Sequence, residues 1–210
     1  MRFKTSFIFV LAMLLFQSQS CDNRFHKDPL SEDELWWNEQ NVMWQELFIR
    51  ESGHLGDKIN ADILNEILSL KRFSGDHYPL GEQGLKPLER LTDLEEVSAG
   101  SSHIPNIKSL EKLVKLRSIS IPDTPVEDLT PLQNLSLLEE LYIQQTLVSD
   151  LAPLKNANNL QVLAIHQTPI SSIRAIMHLE NLSILYLGDS SIPKEEIELF
   201  RSLHPNCEIN

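Results

Sequence analysis

The chain has 210 residues and a formal net charge of −12 at pH 7, from 18 basic and 30 acidic side chains. This length accommodates one domain and a leader segment. Nucleic acids and anionic lipids are bound by basic surfaces, so the acidic balance excludes both as expected partners. The charge favours a soluble surface on which like charges oppose aggregation. An acidic surface that binds a basic partner is the alternative.

Residues 1–20 have the layout of a secretory signal peptide. Arg2 and Lys4 precede an apolar run from Phe7 to Phe16, and small and polar residues follow. This apolar run is too short to span a bilayer. The segment is therefore predicted to be a signal peptide that directs the chain out of the cytoplasm.

The end of this leader admits two interpretations. Residues 18–21, Ser-Gln-Ser-Cys, resemble a bacterial lipobox, although Ser18 stands where a leucine-like residue is usual. The resemblance implies a lipid on Cys21, with residues 21–30 as a tether. The two serines also suit ordinary signal peptidase. The expected location is the cell envelope, lipid-anchored at the periplasmic face, or outside the cell as a secreted protein.

Residues 31–69 are predicted to form two helices. Ser31 and Glu34 make a capping box, and the apolar stripe that follows contains Trp36, Trp37 and Trp44. Gly53 is expected near the end of the first helix, and Asp57 at the start of the second. We expect these helices to cap the repeat array described next, with the tryptophans as contact surface. The alternative is that the tryptophans bind a ligand or lie at a membrane.

From residue 91 onward, apolar residues recur in five series with one constant period, which is the spacing from Val97 to Ile119. Two of these series are Val97, Ile119, Leu141, Leu163, Leu185 and Ile104, Val126, Val148, Ile170, Ile192. A period of this length indicates a solenoid. The unit LxxLxxLxLxxTxI resembles the leucine-rich repeat family, and residues 150–154 are similar to the internalin type. The resemblance implies an α/β leucine-rich repeat solenoid over residues 70–192, with a parallel sheet on its concave face.

Within each unit, two sets of polar residues are predicted to satisfy the backbone. A hydroxyl occupies the bend after each strand, at Ser102, Thr124, Thr146, Thr168 and Ser190. A capping residue then starts each convex turn, at Asn106, Asp128, Asp150 and Ser172. Side chains of these types bond free N–H and C=O groups where the chain turns. Short helical or 3₁₀ turns are therefore expected on the convex side.

Residues 193–210 are predicted to close the array with a helix and a last strand. Cys207 lies one full repeat period after Leu185, which predicts an inward position on that strand. A small thiol there would fill a core position as an unpaired, buried group.

Removal of the leader takes away Arg2 and Lys4 and no acidic residue, so the chain without its leader stays strongly acidic.

The motifs of catalysis are missing from the sequence. The seven histidines do not show metal-ligand spacing, and neither a CxxC pair nor a glycine-rich phosphate loop occurs. No metal and no cofactor are therefore expected, and an enzyme is the least supported class. A carbohydrate-binding or hydrolytic protein would need an acid–base pair, for which the concave face offers only Glu140 near His166.

The outward strand positions indicate a recognition surface. Tyr142 and Tyr186 flank Ala164, with His166 beside them and Glu140 and Gln144 at the rim. Exposed tyrosines are typical of protein-binding surfaces. We therefore expect a non-catalytic protein-binding module, monomeric, that recognises a protein partner on its concave face. A periplasmic immunity-type protein that neutralises a toxin is the alternative.

Overall fold

The structure is a computed structural model that describes residues 30–210, without the side chain of Glu82. The predicted signal peptide, Cys21 and nearly all of the tether lie outside the described residues. The chain divides into two compact units, Met1–Trp36 and Trp37–Asn210. The helices are α1 (Glu32–Glu39), α2 (Val42–Ser52), α3 (Ala61–Leu68) and α4 (Lys194–Leu203). The strands are β1 (Arg72–Ser74), β2 (Glu96–Ser98), β3 (Ser118–Ser120), β4 (Glu140–Tyr142), β5 (Val162–Ala164), β6 (Ile184–Tyr186) and β7 (Glu208–Ile209).

In the first unit, the described residues contain the start of α1. The Ser31 N–H donates to Glu34 Oε2 at 2.8 Å, and the Glu34 N–H donates to Ser31 Oγ at 3.2 Å. This reciprocal pair is the predicted capping box, which satisfies two of the free donors at a helix start. Trp36 is 7% exposed.

The second unit begins with a break that the sequence analysis did not predict. Asn41 is extended, and its side chain accepts from the Trp44 N–H at 3.0 Å, so it begins a new helix. Asparagine side chains compete in this way with the helical backbone bonds. The expected single helix is therefore two, α1 and α2. Gly53 ends α2 in the left-handed region at φ 80°, as glycine does at helix ends.

The start of α3 corrects a second prediction. Asn60, and not Asp57, caps this helix by accepting from the Ile63 N–H at 3.0 Å. Asp57 instead contacts the ring of His54, with 3.0 Å between Oδ2 and Nδ1. Both residue types can cap, but the chain stays non-helical from Asp57 to Asn60 before it turns helical.

Helix α2 packs its aromatic side chains on the first strand. The rings of Trp44 and Phe73 stack with centroids 5.1 Å apart, and Phe48 lies 5.2 Å from Trp44. Trp44 and Phe48 are fully buried and Phe73 is 2% exposed. Burial of aromatic rings of this size contributes about 2 to 3 kcal/mol each, so the contact ties α2 firmly to the sheet.

The seven strands form one parallel sheet in sequence order, and each unit adds the next strand. From β2 to β6 the paired residues hold equivalent places in successive repeats, as Ile119 pairs with Leu141 and Leu163 with Leu185. In the first pair, Phe73 with Val97, the two residues are slightly further apart in the sequence than in the later pairs. Each unit places its leucine-type side chains inward, where they are almost fully buried. One such strand could not bury its apolar face alone, so stacking supplies the core.

The predicted turn caps are confirmed, and the predicted hydroxyl ladder is confirmed at four of its five bends. Ser190, at the fifth bend, makes no such bond among the described residues. Hydroxyls at the first four bends donate to the carbonyl three residues earlier, in the pairs Ser102–Ala99, Thr124–Ile121, Thr146–Ile143 and Thr168–Ile165. All four predicted turn caps accept the backbone N–H two residues later, at Asn106, Asp128, Asp150 and Ser172. The 3₁₀ turns that follow are Lys108–Leu110, Thr130–Leu132, Ala152–Asn156 and Arg174–Ile176. Each unit thus satisfies its own bends.

The last strand is out of phase with the prediction. Leu185 pairs with Ile209 and not with Cys207, because α4 replaces the short convex turn with a longer connection. Cys207 therefore lies in the turn before β7, where its N–H donates to His204 O at 3.0 Å. Its thiol is unpaired and only partly buried. The prediction of an inward, buried Cys207 is wrong.

Candidate interaction surface

Three rows of side chains face the concave side, because side chains alternate along each strand. The first row is Arg72, Glu96, Ser118, Glu140, Val162, Ile184 and Glu208. The second row is Ser74, Ser98, Ser120, Tyr142, Ala164 and Tyr186. The backbone ladder continues past the strands and carries a third row, Asp76, Gly100, Pro122, Gln144, His166 and Gly188. These rows form the surface on which the predicted site lies.

In the N-terminal half, the polar groups of this surface satisfy one another. The Asp76 carboxylate accepts from the Ser98 hydroxyl at 2.6 and 2.8 Å and from the Gly100 N–H at 2.6 Å. The Ser74 hydroxyl donates to the same carboxylate at 3.2 Å. A carboxylate with several donors is a strongly held structural group. This network was not predicted, because Asp76 lies after β1, outside the residues with the constant period.

The two tyrosines lie on either side of Ala164, as predicted. Tyr142 pairs with Ala164 across β4 and β5, and Ala164 pairs with Tyr186 across β5 and β6. Both tyrosines are half-buried, whereas Ala164 is 2% exposed. The expectation that Ala164 is exposed is therefore wrong, because its small side chain lies below two large neighbours. It forms the floor of the surface, and the rings form its outer part.

Glu140 is held against this aromatic pair. The Ser118 hydroxyl donates to Glu140 Oε2 at 3.2 Å, and the Tyr142 hydroxyl donates to the same oxygen at 3.4 Å. Burial, the Glu140 carboxylate and the nearby Tyr186 raise the pKa of Tyr142. Both bonds end on Oε2, so Glu140 Oε1 has no hydrogen-bond partner within residues 30–210.

Gln144 and His166 are neighbours in the third row. The Gln145 N–H donates to His166 O at 3.1 Å, which holds the two backbones together. Gln144 Oε1 is buried and has no hydrogen-bond partner in the described part of the chain. Beyond them, Gly188 has a φ of 50°, and a Cβ there would lie 2.9 Å from His166 Cβ. Glycine at this position therefore leaves the room that His166 occupies.

All six residues of the predicted surface thus lie on three adjacent strands, β4 to β6, or directly after them. They comprise a central pair of rings with a buried floor, a carboxylate on one side, and an amide and an imidazole on the other. One acceptor in this group, Gln144 Oε1, is buried without a partner among the described residues, which is unusual for a buried polar atom. Glu140 Oε1 is open to solvent on a half-buried side chain. We call Tyr142, Tyr186, Glu140, Gln144, His166 and Ala164 the tyrosine surface.

A third tyrosine, Tyr78, lies at the N-terminal edge of the sheet and was not predicted from the sequence. The Arg50 guanidinium lies over the Tyr78 ring, 4.8 Å from its centroid, and Nη1 donates to the Tyr78 hydroxyl at 2.6 Å. Arg50 also bonds Glu51 Oε1 at 2.8 and 3.0 Å. Neither the helical pattern nor the repeat period marks these residues, because they meet only after folding.

The same helix covers the backbone of β1, the first edge strand. Arg50 Nη2 donates to Ser74 O at 2.6 Å, and Glu51 Oε2 accepts the Ser74 N–H at 3.2 Å. An exposed strand edge invites pairing with another chain unless it is covered. Arg50 and Glu51 thus make the hydrogen bonds to Ser74 that a neighbouring strand would otherwise make.

Two further features concern metal ions and membranes. Within residues 30–210, His, Cys, Asp and Glu do not form any group of three or more that could hold a metal ion. No helix among these residues has the length and apolar character needed to cross a bilayer.

Parallel strands in sequence order, a constant repeat register and short convex 3₁₀ turns define a leucine-rich repeat solenoid. No protein-family model and no curated protein matches the sequence. Solved structures do match. An internalin (InlF) from Listeria monocytogenes has a TM-score of 0.63 and 26% identity, covering 72% of this chain and 46% of that one. Internalin C2 from the same species has a TM-score of 0.61 and 19% identity, covering 78% and 80%. The chain thus spans about half of the first internalin.

Proposed function

We propose that this protein is a non-catalytic protein-binding module of the bacterial cell envelope. It recognises a protein partner on its concave face, through the tyrosine surface. Tyr142 and Tyr186 are the anchors, with His166 beside them, Ala164 beneath, and Glu140 and Gln144 at the rim. The internalin-like fold supports a protein-interaction role. The observation that carries the proposal is the placement of two half-buried tyrosines on three adjacent strands, beside a carboxylate oxygen and an amide oxygen that have no partner among the described residues.

The physical basis is the behaviour of tyrosine at interfaces. Its ring buries a large area at little cost in side-chain entropy, and its hydroxyl keeps a polar contact. The neighbours Val162 and Ile184 are half-buried and add apolar area to the same face. Strands about 4.8 Å apart place the backbones of Tyr142 and Tyr186 roughly 10 Å apart, within reach of one partner segment.

The location is part of the same proposal. Cys21 carries the lipid, residues 21–30 are the tether, and the repeat domain acts as a monomer. Metabolic labelling with a fatty acid tests the anchor, with Cys21→Ala as the control. A wild-type protein that stays unlabelled and wholly soluble would remove the anchor from the proposal.

Photocross-linking in the producing cells tests the concave site. A photoreactive residue at Ser120, which pairs with Tyr142 in the sheet, should give a defined adduct with a protein. The same residue at Asp128, which caps a convex turn, is the control and should give none. Adducts from Asp128 alone would place binding on the convex side.

The double change Tyr142→Ala with Tyr186→Ala should then abolish binding of the cross-linked partner. Truncation of aromatic anchors costs more than about 2 kcal/mol each in binding free energy, a loss of about 30-fold or more in affinity. Asp128→Ala should leave the affinity unchanged, even though it loses a turn cap. Full binding by the folded double variant, measured by calorimetry, would move the site elsewhere, first to α2.

A further inference from the structure

The concave face is acidic, and little of its charge is balanced within the face. Its three rows contain four carboxylates, Asp76, Glu96, Glu140 and Glu208, against one cation, Arg72. Arg72 Nε lies 3.2 Å from Glu96 Oε1, so this cation is already engaged. The face therefore has a formal excess of three negative charges (four minus one), consistent with the −12 of the whole chain. Charge complementarity favours a cationic partner here.

The tyrosine surface offers acceptors and ring faces but no cation. Glu140 Oε1 and Gln144 Oε1 are both without partners among the described residues. The π-faces of Tyr142 and Tyr186 lie beside them and attract positive charge. A group that pairs with Glu140 Oε1 and also lies on a tyrosine ring is one with N–H donors and a delocalised positive charge.

The protein itself shows this combination occupied at its other end. There the Arg50 guanidinium stacks over the Tyr78 ring, donates to its hydroxyl and pairs with Glu51. The tyrosine surface has the same tyrosine and glutamate, in Tyr142 and Glu140, without an arginine. An incoming guanidinium would complete the same set of contacts.

We propose that the tyrosine surface binds an arginine side chain of the protein partner, stacked on the tyrosine rings and paired with Glu140. This rests on the proposed function and specifies the chemistry of its partner. Arginine fits better than lysine because its planar guanidinium stacks on rings and presents five donors in a fixed fork. Its fork of donors can pair with the Glu140 carboxylate while its plane lies on a ring, which the point charge of an ammonium group does less well.

A matched pair of peptides tests this on the purified full-length protein. The probes are a blocked Gly-Arg-Gly tripeptide and its citrulline analogue, which has nearly the same shape without the charge. In NMR titrations at low salt, the arginine peptide should shift the Tyr142, Ala164 and Tyr186 resonances with millimolar affinity. The citrulline peptide should bind about tenfold more weakly or not at all, and added salt should weaken the arginine peptide.

Three variants assign the contacts. Glu140→Gln should weaken the arginine peptide about tenfold, as expected for loss of a charge-assisted bond. Tyr142→Phe should keep most of the affinity, whereas Tyr142→Leu should lose it, because leucine has the bulk but no π-face. Glu96→Gln is the matched control and should have no effect, since Glu96 is already paired with Arg72.

The outcomes separate this inference from the proposed function. Equal shifts with citrulline, shifts confined to other residues, or an unaffected Glu140→Gln variant would overturn the arginine site. If the Ser120 cross-link persists under any of these results, the concave face still binds its partner by other chemistry. If the Ser120 position gives no cross-link to a protein although the arginine peptide binds as expected, the protein-binding proposal is overturned instead.

Discussion

The two halves of the concave face use similar residues in opposite ways. In the N-terminal half, β1 to β3, Asp76 is filled by donors from its neighbours and Arg72 is paired with Glu96. In the C-terminal half, β4 to β7, Glu140 and Gln144 each keep an acceptor oxygen without a partner among the described residues. The repeat geometry is the same in both halves. Only the residues placed on it differ.

The contrast between the two halves indicates which part of the surface is structural. Polar groups that bond one another have little left to offer a partner, and their removal costs stability. A buried polar atom without a partner, such as Gln144 Oε1, costs stability in the free protein, and a solvent-exposed acceptor such as Glu140 Oε1 remains available to a partner. The N-terminal half should therefore respond to mutation by unfolding, and the C-terminal half by losing binding. The following predictions test that division.

The largest loss of stability is expected at the N-terminal edge. Glu51→Ala removes the acceptor of the Ser74 N–H and the partner of Arg50, whose side chain is 37% exposed. The free energy of unfolding should fall by about 2 to 3 kcal/mol, less than for a fully buried pair. Urea denaturation measures it, with Glu51→Gln as the control that keeps an acceptor. Equal stability of all three proteins would show that this edge needs no cover.

The Asp76 network should come next. Asp76→Ala leaves the Ser98 hydroxyl and the Gly100 N–H without their acceptor, which should cost about 2 kcal/mol of stability. Asp76→Asn retains an acceptor and should cost less than half of that. Affinity for the arginine peptide should stay unchanged in both. A loss of affinity without a loss of stability would reverse the roles given to the two halves.

Much of the fold could be predicted because it is a repeated local pattern. Leu141 and Ile143, whose equivalents recur in each repeat, determine the inward face, and Asp128 and Asp150 mark the turns. Such positions are decided by periodicity and capping within one unit. The prediction was wrong where a unit departs from the period, as at Cys207, because α4 lengthens the last repeat.

The candidate site could be predicted only in part. The register placed Tyr142 and Tyr186 in one row on either side of Ala164, since parallel strands align equivalent positions. It gave no information on side-chain burial, so Ala164 was expected to be exposed. The contact of Arg50 with Tyr78 joins a helix to a loop outside the repeat period, and no local pattern marks it. Asn41 was missed because an apolar stripe continues across it.

The next prediction concerns Cys207, at the C-terminal end of the sheet. Its thiol is partly buried, and burial followed by the Glu208 carboxylate raises its pKa. Because the thiolate is the reactive form, alkylation in the native protein should be slower than in the unfolded chain but complete, and faster as the pH rises. Mass spectrometry of the Cys207 peptide distinguishes it from Cys21. A thiol that stays unmodified until unfolding would restore the inward position in the core.

The smallest effect is expected at His54, which lies in the N-terminal part of the chain. Its ring, like the polar groups of the N-terminal half of the concave face, is paired with other side chains of the protein. Its Nε2 lies 2.7 Å from Glu66 Oε2 and its Nδ1 lies 3.0 Å from Asp57 Oδ2. The hydrogen bond with Glu66, and then that with Asp57, raises the pKa of His54 above its ordinary value of 6.5, against a smaller lowering by burial. The protonated ring is the form that donates to both carboxylates.

A raised pKa in the folded state means that His54 contributes its full stability below about pH 6.5, where both states are protonated. That contribution is lost as the pH rises through the higher folded pKa. The difference in unfolding free energy between wild type and His54→Gln should therefore be larger at pH 6 than at pH 9, because glutamine does not titrate. Taking the difference between the two proteins cancels the pH dependence that the other histidines contribute to the unfolding free energy. A gap that widens toward pH 9 would contradict the assigned pairing of His54 with the two carboxylates.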